Sequence, residues 1–245
     1  MSIDINKIVS ELTYNGTPLI LPAGNGGDYN IKSTDNEDGT QNLEIIDADG
    51  SGSGDNSGFI HAIQRDVEDL VLPEGLTSIG GEVFRGWLEL KSIVIPEGVE
   101  SIGGYCFYCD YPYDETAPCS ALSSVTLPST LVFIGDSAFA NAVNLLSISL
   151  PENLTTLKSY AFSCCSMLAI NALPASVTTI DSGAFYGCTG ITEMTFKGTP
   201  TTIKNNVFQG CNNLTTINVP WAEGAVANAP WGATKATINY NYVGE

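Results

Sequence analysis

The chain is poor in exactly the side chains that most chemistry needs: it has one histidine, His61, and nine lysines and arginines against 27 acids, for a formal charge of −18. With one histidine there is no partnered base for a serine or cysteine nucleophile, and no glycine-rich phosphate loop follows a strand pattern, so catalysis is not expected. The shortage of basic residues excludes nucleic acid as a partner, because a field of this sign repels a phosphate backbone. No apolar run approaches the ~20 residues needed to cross a bilayer, so membrane insertion is not expected. Met1 to Ser10, with Asp4 and Lys7 among isolated apolar residues, lacks the apolar stretch of a secretory leader. The expected locations are the cell surface or outside if a leader was removed, with the virion or the cytoplasm as alternatives. Seven cysteines do not settle the compartment.

What the chain has instead is a period of 23. Pro73, Pro96, Pro128, Pro151, Pro174 and Pro220 share one register, Lys197 stands in the vacant slot, and every interval is 23 except one of 32. A fixed period of this length marks a solenoid, in which each unit is too short to bury its apolar face alone and must stack on its neighbours. The product is an elongated surface rather than a closed pocket.

Around Pro151 the run from Leu145 to Leu157 alternates apolar and polar residues. Alternation is strand spacing, and proline cannot sit in mid-strand, so each turn is expected to hold two short strands bent apart at the proline. Ile148, Leu150, Leu154 and Leu157 are the inward positions. An isoleucine is followed five places later by phenylalanine at Ile79/Phe84, Ile102/Phe107, Ile134/Phe139, Ile180/Phe185 and Ile203/Phe208, and Ala138, Ala161 and Ala184 precede their rings. Small then large suits a tight third side with an inward ring. The fold expected is mainly β, a solenoid of about seven turns.

The pattern, roughly L-x-x-I-x-[IL]-P-x-x-[LV]-x-x-I-x-x-x-A-F-x-x-C over residues 67 to 220, resembles the BspA-type leucine-rich repeat. The resemblance implies adhesion or recognition of a protein or carbohydrate without catalysis or cofactor, at a surface or outside the cell. Val83 and Cys106 depart from the alanine, Asn171 from an inward apolar strand position, and Lys197 from proline, which should weaken the sixth corner. The stretch from Val219 through Thr234 is similar to the ends of some phage-encoded repeat proteins, which implies the alternative of a phage tail or virion component.

Three segments are expected: an N-terminal β cap or small domain with an acidic linker at 1–60, the solenoid at 61–220 and a C-terminal cap at 221–245. Tyr14-Asn15-Gly16-Thr17 and Asp38-Gly39 read as hairpin turns. Trp221 and Trp231 are placed to seal the last turn, before a final strand within 236–243. Residues 1 to 116 hold 21 acids and 5 bases, residues 117 to 245 hold 6 and 4. Solubility and protection of the first turn against end-to-end stacking account for this, with a cation-dependent contact as the alternative.

The interval of 32 contains nine inserted residues, about Asp110 to Pro118, and Tyr105, Phe107, Tyr108, Tyr111 and Tyr113 fall within nine positions. Exposed tyrosines are rigid and amphipathic, so Tyr108, Tyr111 and Tyr113 are the candidate ligand-binding residues, against the alternative that the loop folds back over a neighbouring turn. Cys109 and Cys119 bracket the insertion and could close it as a disulfide. With Cys106 they are too few for a structural zinc site, and reduced packing thiols remain the third option. Cys165, Cys188 and Cys211 share one slot and read as packing residues, since Trp87 and Ala142 fill it elsewhere. Asp47, Asp49, Ser51 and Asp55 sit at calcium-loop spacing, but Gly58 stands where the bidentate glutamate belongs, which favours a polar linker. Thr155, Thr178 and Thr201 recur beside the strands as a hydroxyl ladder or a flat contact surface. Asp136 and Asp181 read as corner polar groups sharing a repeat position.

Overall fold

The computed structural model describes residues 72, 76–87, 90–109 and 121–244, together with the backbone of strands at 13–14, 17–18, 29–35, 41–47 and 69–71. Among these residues there is no helix, and the repeats form a parallel β-solenoid of about six turns. Ahead of them β1 (Thr13–Tyr14) and β2 (Thr17–Pro18) pair antiparallel, with Tyr14 opposite Thr17. A longer antiparallel pair follows, β3 (Tyr29–Asp35) with β4 (Gln41–Asp47). β4 then pairs parallel with β6 (Leu76–Ile79), the first strand of the long sheet.

That sheet continues without a gap through β8 (Ser101–Ile102), β10 (Phe133–Ile134), β12 (Thr156–Leu157), β14 (Thr179–Ile180) and β16 (Thr202–Ile203), giving eight strands with β3 and β4. Every register step is one repeat: Ile79, Ile102, Ile134, Leu157, Ile180 and Ile203 lie opposite one another. All six are buried.

Beyond each proline corner lies a second strand, and these form two sheets. β5 (Asp69–Val71), β7 (Ser92–Val94), β9 (Ser124–Thr126) and β11 (Ser147–Ile148) make one. β13 (Ala172–Leu173), β15 (Glu193–Phe196), β17 (Thr216–Asn218) and β18 (Thr237–Asn239) make the other. The division falls at Asn171. Ile148 is buried in the preceding turn, but its counterpart Asn171 is exposed and Ile170 turns inward in its place. An amide placed inside would lose water without a partner, so the chain slips by one residue and the ladder breaks. The inward position assigned to Asn171 from its spacing is therefore corrected.

Lys197 also differs from expectation. Its backbone N–H donates to the Leu173 carbonyl at 3.1 Å, a bond proline cannot make, and β15 runs to four residues. Its Nζ donates to Glu152 Oε1 at 2.8 Å. The corner gains contacts rather than losing them.

The third side is a column of tight turns. Phe84, Phe107, Phe139, Phe162, Phe185 and Phe208 stack with centroids 5.1, 5.1, 5.2, 5.5 and 5.7 Å apart. Burying one such ring stabilises the fold by about 1.5–3 kcal/mol, before the added worth of ring pairing. The column has six members and ends at Phe208, whose N–H donates to the Trp231 carbonyl at 2.9 Å. No seventh ring follows among the described residues because Trp221 and Trp231 take that space, both buried against Phe196 at centroid distances of 5.3 and 5.8 Å. This reduces the expected seven turns to about six.

Candidate binding surface on the third side

Each third-side turn begins with a residue of positive φ: Glu82, Tyr105, Ser137, Tyr160, Gly183 and Asn206 lie between 53° and 66°. This left-handed conformation lets every second N–H point along the stack, as when Tyr105 N–H donates to the Asp136 carbonyl and Tyr160 N–H to the Ser182 carbonyl, at 2.8 and 3.1 Å. Glycine and asparagine accept it at little cost, whereas a tyrosine there is strained by about 1 kcal/mol. Two tyrosines nevertheless occupy it.

Both are solvent-facing. Tyr105 is 42% exposed, Tyr160 47% and Tyr186, which is placed three residues after Gly183, 38%. Tyr105 meets the half-buried Tyr108 edge to face at 5.3 Å, and Tyr160 meets Tyr186 in the same way at 6.3 Å. Arg85 lies over both rings of the first pair, 6.0 and 5.6 Å from their centroids, and its Nη1 donates to Glu82 Oε2 at 3.0 Å. Gly183 is the seat of the second pair: a Cβ there would lie 2.5 Å from Tyr160 Cε1. Between the pairs come the buried Ser137 and Ala140.

Of the tyrosines expected to bind, Tyr108 belongs to this surface, while Tyr111 and Tyr113 lie outside the described residues. Phe107, which falls among them in sequence, is a member of the buried ring column, as its place five residues after Ile102 leads one to expect. Tyr160 and Tyr186 were missed because the aromatic count favoured the insertion. The signal that finds Tyr160 is the slot itself, which takes glycine at 183 and asparagine at 206 and so announces positive φ, while Tyr186 shares the repeat position of Tyr108.

A separate, concave surface lies on the face of β9 and β11. Ser124, Thr126, Ser147, Ser149, Ser129, Glu97 and Glu152 line an open groove of about 550 Å³. The Ser129 backbone N–H, at 3.0 Å, and its hydroxyl, at 2.9 Å, donate to Glu97 and hold its carboxyl below the usual range. With Glu152 bound to Lys197, both carboxylates already have protein partners.

The cysteine slot is structural. The thiols of Cys165, Cys188 and Cys211 donate to the carbonyls of Phe139, Phe162 and Phe185 at 3.1, 2.9 and 3.0 Å. Burial pushes the Cys165 and Cys188 thiols far above their ordinary range and Cys211 up to about 12, so none is poised as a nucleophile or ligand. Cys106 is buried and pushed up likewise, in the slot that Ala138 and Ala161 fill elsewhere. Cys109 is buried, whereas Cys119, His61 and residues 48–58 of the calcium spacing lie outside the described residues. Among the described residues no group of three or more histidine, cysteine or acidic side chains could hold a metal.

Asp136 and Asp181 do not share a slot. Asp181 falls one position earlier in the turn, in register with Lys158 and Lys204, and its buried carboxylate meets their ammonium groups at 3.0 and 2.7 Å. Burial alone would raise its pKa, but the two lysines more than offset this and lower it. Asp136 is exposed, and its Oδ1 accepts from the Ser159 N–H at 3.1 Å. The hydroxyls of Thr155, Thr178 and Thr201 donate to the carbonyls of Val132, Thr155 and Thr178 one turn back, at 3.2, 3.3 and 3.0 Å.

Stacked parallel strands and an internal ring column define a β-solenoid repeat protein. The chain belongs to the BspA type leucine rich repeat family, whose pattern it matches in 6 copies over residues 61–116 and 112–223. Its fold is similar to that of a leucine-rich repeat protein from Bacteroides ovatus, at 24% identity over 80% of this chain and 46% of that one, with a TM-score of 0.55. The chain thus spans a little under half the length of that protein. It is likewise similar to the leucine rich repeat protein of T. pallidum, at 25% identity over 77% of this chain and 81% of that one, again with a TM-score of 0.55. No curated protein matches the chain significantly.

Proposed function

We propose that this is a non-enzymatic recognition protein of the cell surface or exterior, holding a protein or glycan on its third side, where Tyr108 stands beside the insertion that carries Tyr111 and Tyr113. The observation behind the reading is the run of exposed tyrosines, Tyr105, Tyr160 and Tyr186, along one side of an unbroken stack. Rigid rings with hydroxyl tips provide contact area at low entropic cost, which is what a binding surface needs and a solvated turn does not. No cofactor enters this reading. Among the described residues no helix is long and apolar enough to cross a membrane.

The test is a binding screen against extracellular host proteins and a glycan array, run with the whole chain, with a variant lacking residues 110–118, and with Tyr111→Ala/Tyr113→Ala. A ligand lost or weakened in either variant while thermal melting is unchanged supports the surface. A ligand held equally by all three forms overturns the role of the insertion. The alternative, a structural or host-contact component of a phage tail or virion, is supported by the similarity of the Val219 to Thr234 stretch, and the burial of its tryptophans against Phe196 closes the last turn under either reading.

A further inference from the structure

We infer that the paired tyrosines of the third side form a platform for an uncharged, extended oligosaccharide, with alternate sugar rings stacked on Tyr105 and Tyr160. The inference rests on the binding role proposed for this side and names its ligand class.

The positions come first. Tyr105 and Tyr160 occupy the same slot two turns apart, and the intervening ring steps of 5.1 and 5.2 Å set them roughly 10 Å apart along the stack. Alternate rings of a β-1,4-linked chain present the same face at about this repeat, so both tyrosines can meet equivalent C–H faces. Ser137 and Ala140 are small and lie between them, leaving the middle ring room to pass over.

The rings are held before any ligand arrives. Tyr160 rests on the Gly183 backbone with Tyr186 against its edge, and Tyr105 is braced by Tyr108 and Arg85. Preorganised rings lose little freedom on binding, which suits the weak contacts a sugar face offers. Both tyrosines hold a strained backbone where Gly183 and Asn206 show that cheaper residues fit, so the chain retains rings at this slot against its own conformational preference.

Charge selects the class. A formal charge of −18 repels acidic polysaccharides. Locally Arg85 is neutralised by Glu82, while the nearby Asp136 carboxylate accepts from the neutral Ser159 N–H and keeps its charge, so the platform offers aromatic faces and hydroxyls beside a negative charge that disfavours an acidic ligand. An uncharged polyhydroxy chain matches that surface.

The experiment follows tyrosine ring resonances of the whole chain by NMR during titration with cellohexaose, chitohexaose and, as a curved α-linked control, maltohexaose. The expected result is a saturable shift with at least one β-linked hexaose, a weaker response to maltohexaose, and about a tenfold loss of affinity in Tyr160→Ala. Tyr160 is solvent-facing, so its removal leaves melting near that of the parent, and shifts assigned to Tyr105, Tyr160 and Tyr186 in the unaltered chain test the site without any variant. No shift at millimolar β-linked hexaose, or equal affinity in Tyr160→Ala, overturns the inference. Absence of a hexaose response together with a screened ligand that still needs residues 110–118 overturns the platform while leaving the role of the insertion standing.

Discussion

The long sheet and the second strand layer draw on one repeat, yet the first runs unbroken through its six repeat strands and on into β4 and β3, while the second divides into four and four. Their difference lies in how each inward position is filled. Along the long sheet the inward slot holds isoleucine or leucine at every turn, and threonine hydroxyls and the Lys158–Asp181–Lys204 chain tie neighbouring turns from outside. In the second layer one asparagine at that slot suffices to move the chain by a residue. A stack bonded mainly to nearest neighbours absorbs such a fault locally: β13 resumes in register with β15, Leu173 opposite Phe196. Beyond the fault the layer has its own polar tie, the buried Asn218, whose Nδ2 donates to Glu193 Oε1 and Thr195 Oγ1 at 2.6 and 3.1 Å.

Breaking what the two layers share should cost most. Phe162→Ala removes the ring between Phe139 and Phe185, on a column both layers enclose, and should lower stability by about 3–5 kcal/mol in urea unfolding. A loss under ~1 kcal/mol would show that the rings are dispensable and the sheets alone carry the stack.

The next effect separates the layers, because it touches only the long sheet. The folded-state pKa of Asp181 is lowered from 3.8, so its contribution is present above that value and disappears as pH falls through the lower folded pKa. Asp181→Asn should be less stable near neutral pH and show a flatter loss of stability on acidification below about pH 4. An unchanged acid limb in melting temperature against pH would remove the carboxylate from the account.

Much of this architecture was legible because the decisive residues recur: Ile79 to Ile203 and Phe84 to Phe208 repeat at fixed spacing, and only stacked turns give them one dry column. The slip at Asn171 was not legible, since Ile170 and Asn171 are adjacent and both choices satisfy a short alternating pattern; the choice depends on the water an inward amide would lose. Lys197 was misread for a related reason. Proline's absence was counted as a missing corner, whereas the amide proton it restores finds the Leu173 carbonyl across the ladder. At the candidate surface, aromatic density near the insertion points to Tyr108. Tyr160 required the turn geometry, because its place in a left-handed slot shows only when the turns are aligned.

Within the second layer, Lys197→Pro tests that gain directly. The substitution removes the N–H bond to Leu173, about 0.5–1.5 kcal/mol, and the exposed ion pair to Glu152, at most about 1 kcal/mol. Thermal melting should fall by the sum of these small effects, and Lys197→Gln, which keeps the N–H, should recover most of it. Equal loss in both variants would assign the effect to the side chain.

The smallest expected effect would erase the difference between the layers. Ile170→Ser/Asn171→Ile restores the Ser147-Ile148 pattern one turn on, so an apolar side chain again falls at the inward slot without slipping the backbone. The buried residue changes position rather than type, so little hydrophobic gain is expected; the benefit is the ladder recovered between β11 and β13, about 1 kcal/mol. Hydrogen exchange should then show slower exchange of the amides at 170–172, with those of β12 and β14 unaltered. If the double variant is less stable and these amides exchange no more slowly, the division is imposed by the surrounding corners rather than by the asparagine, and the second layer would remain split whatever residue stood at 171.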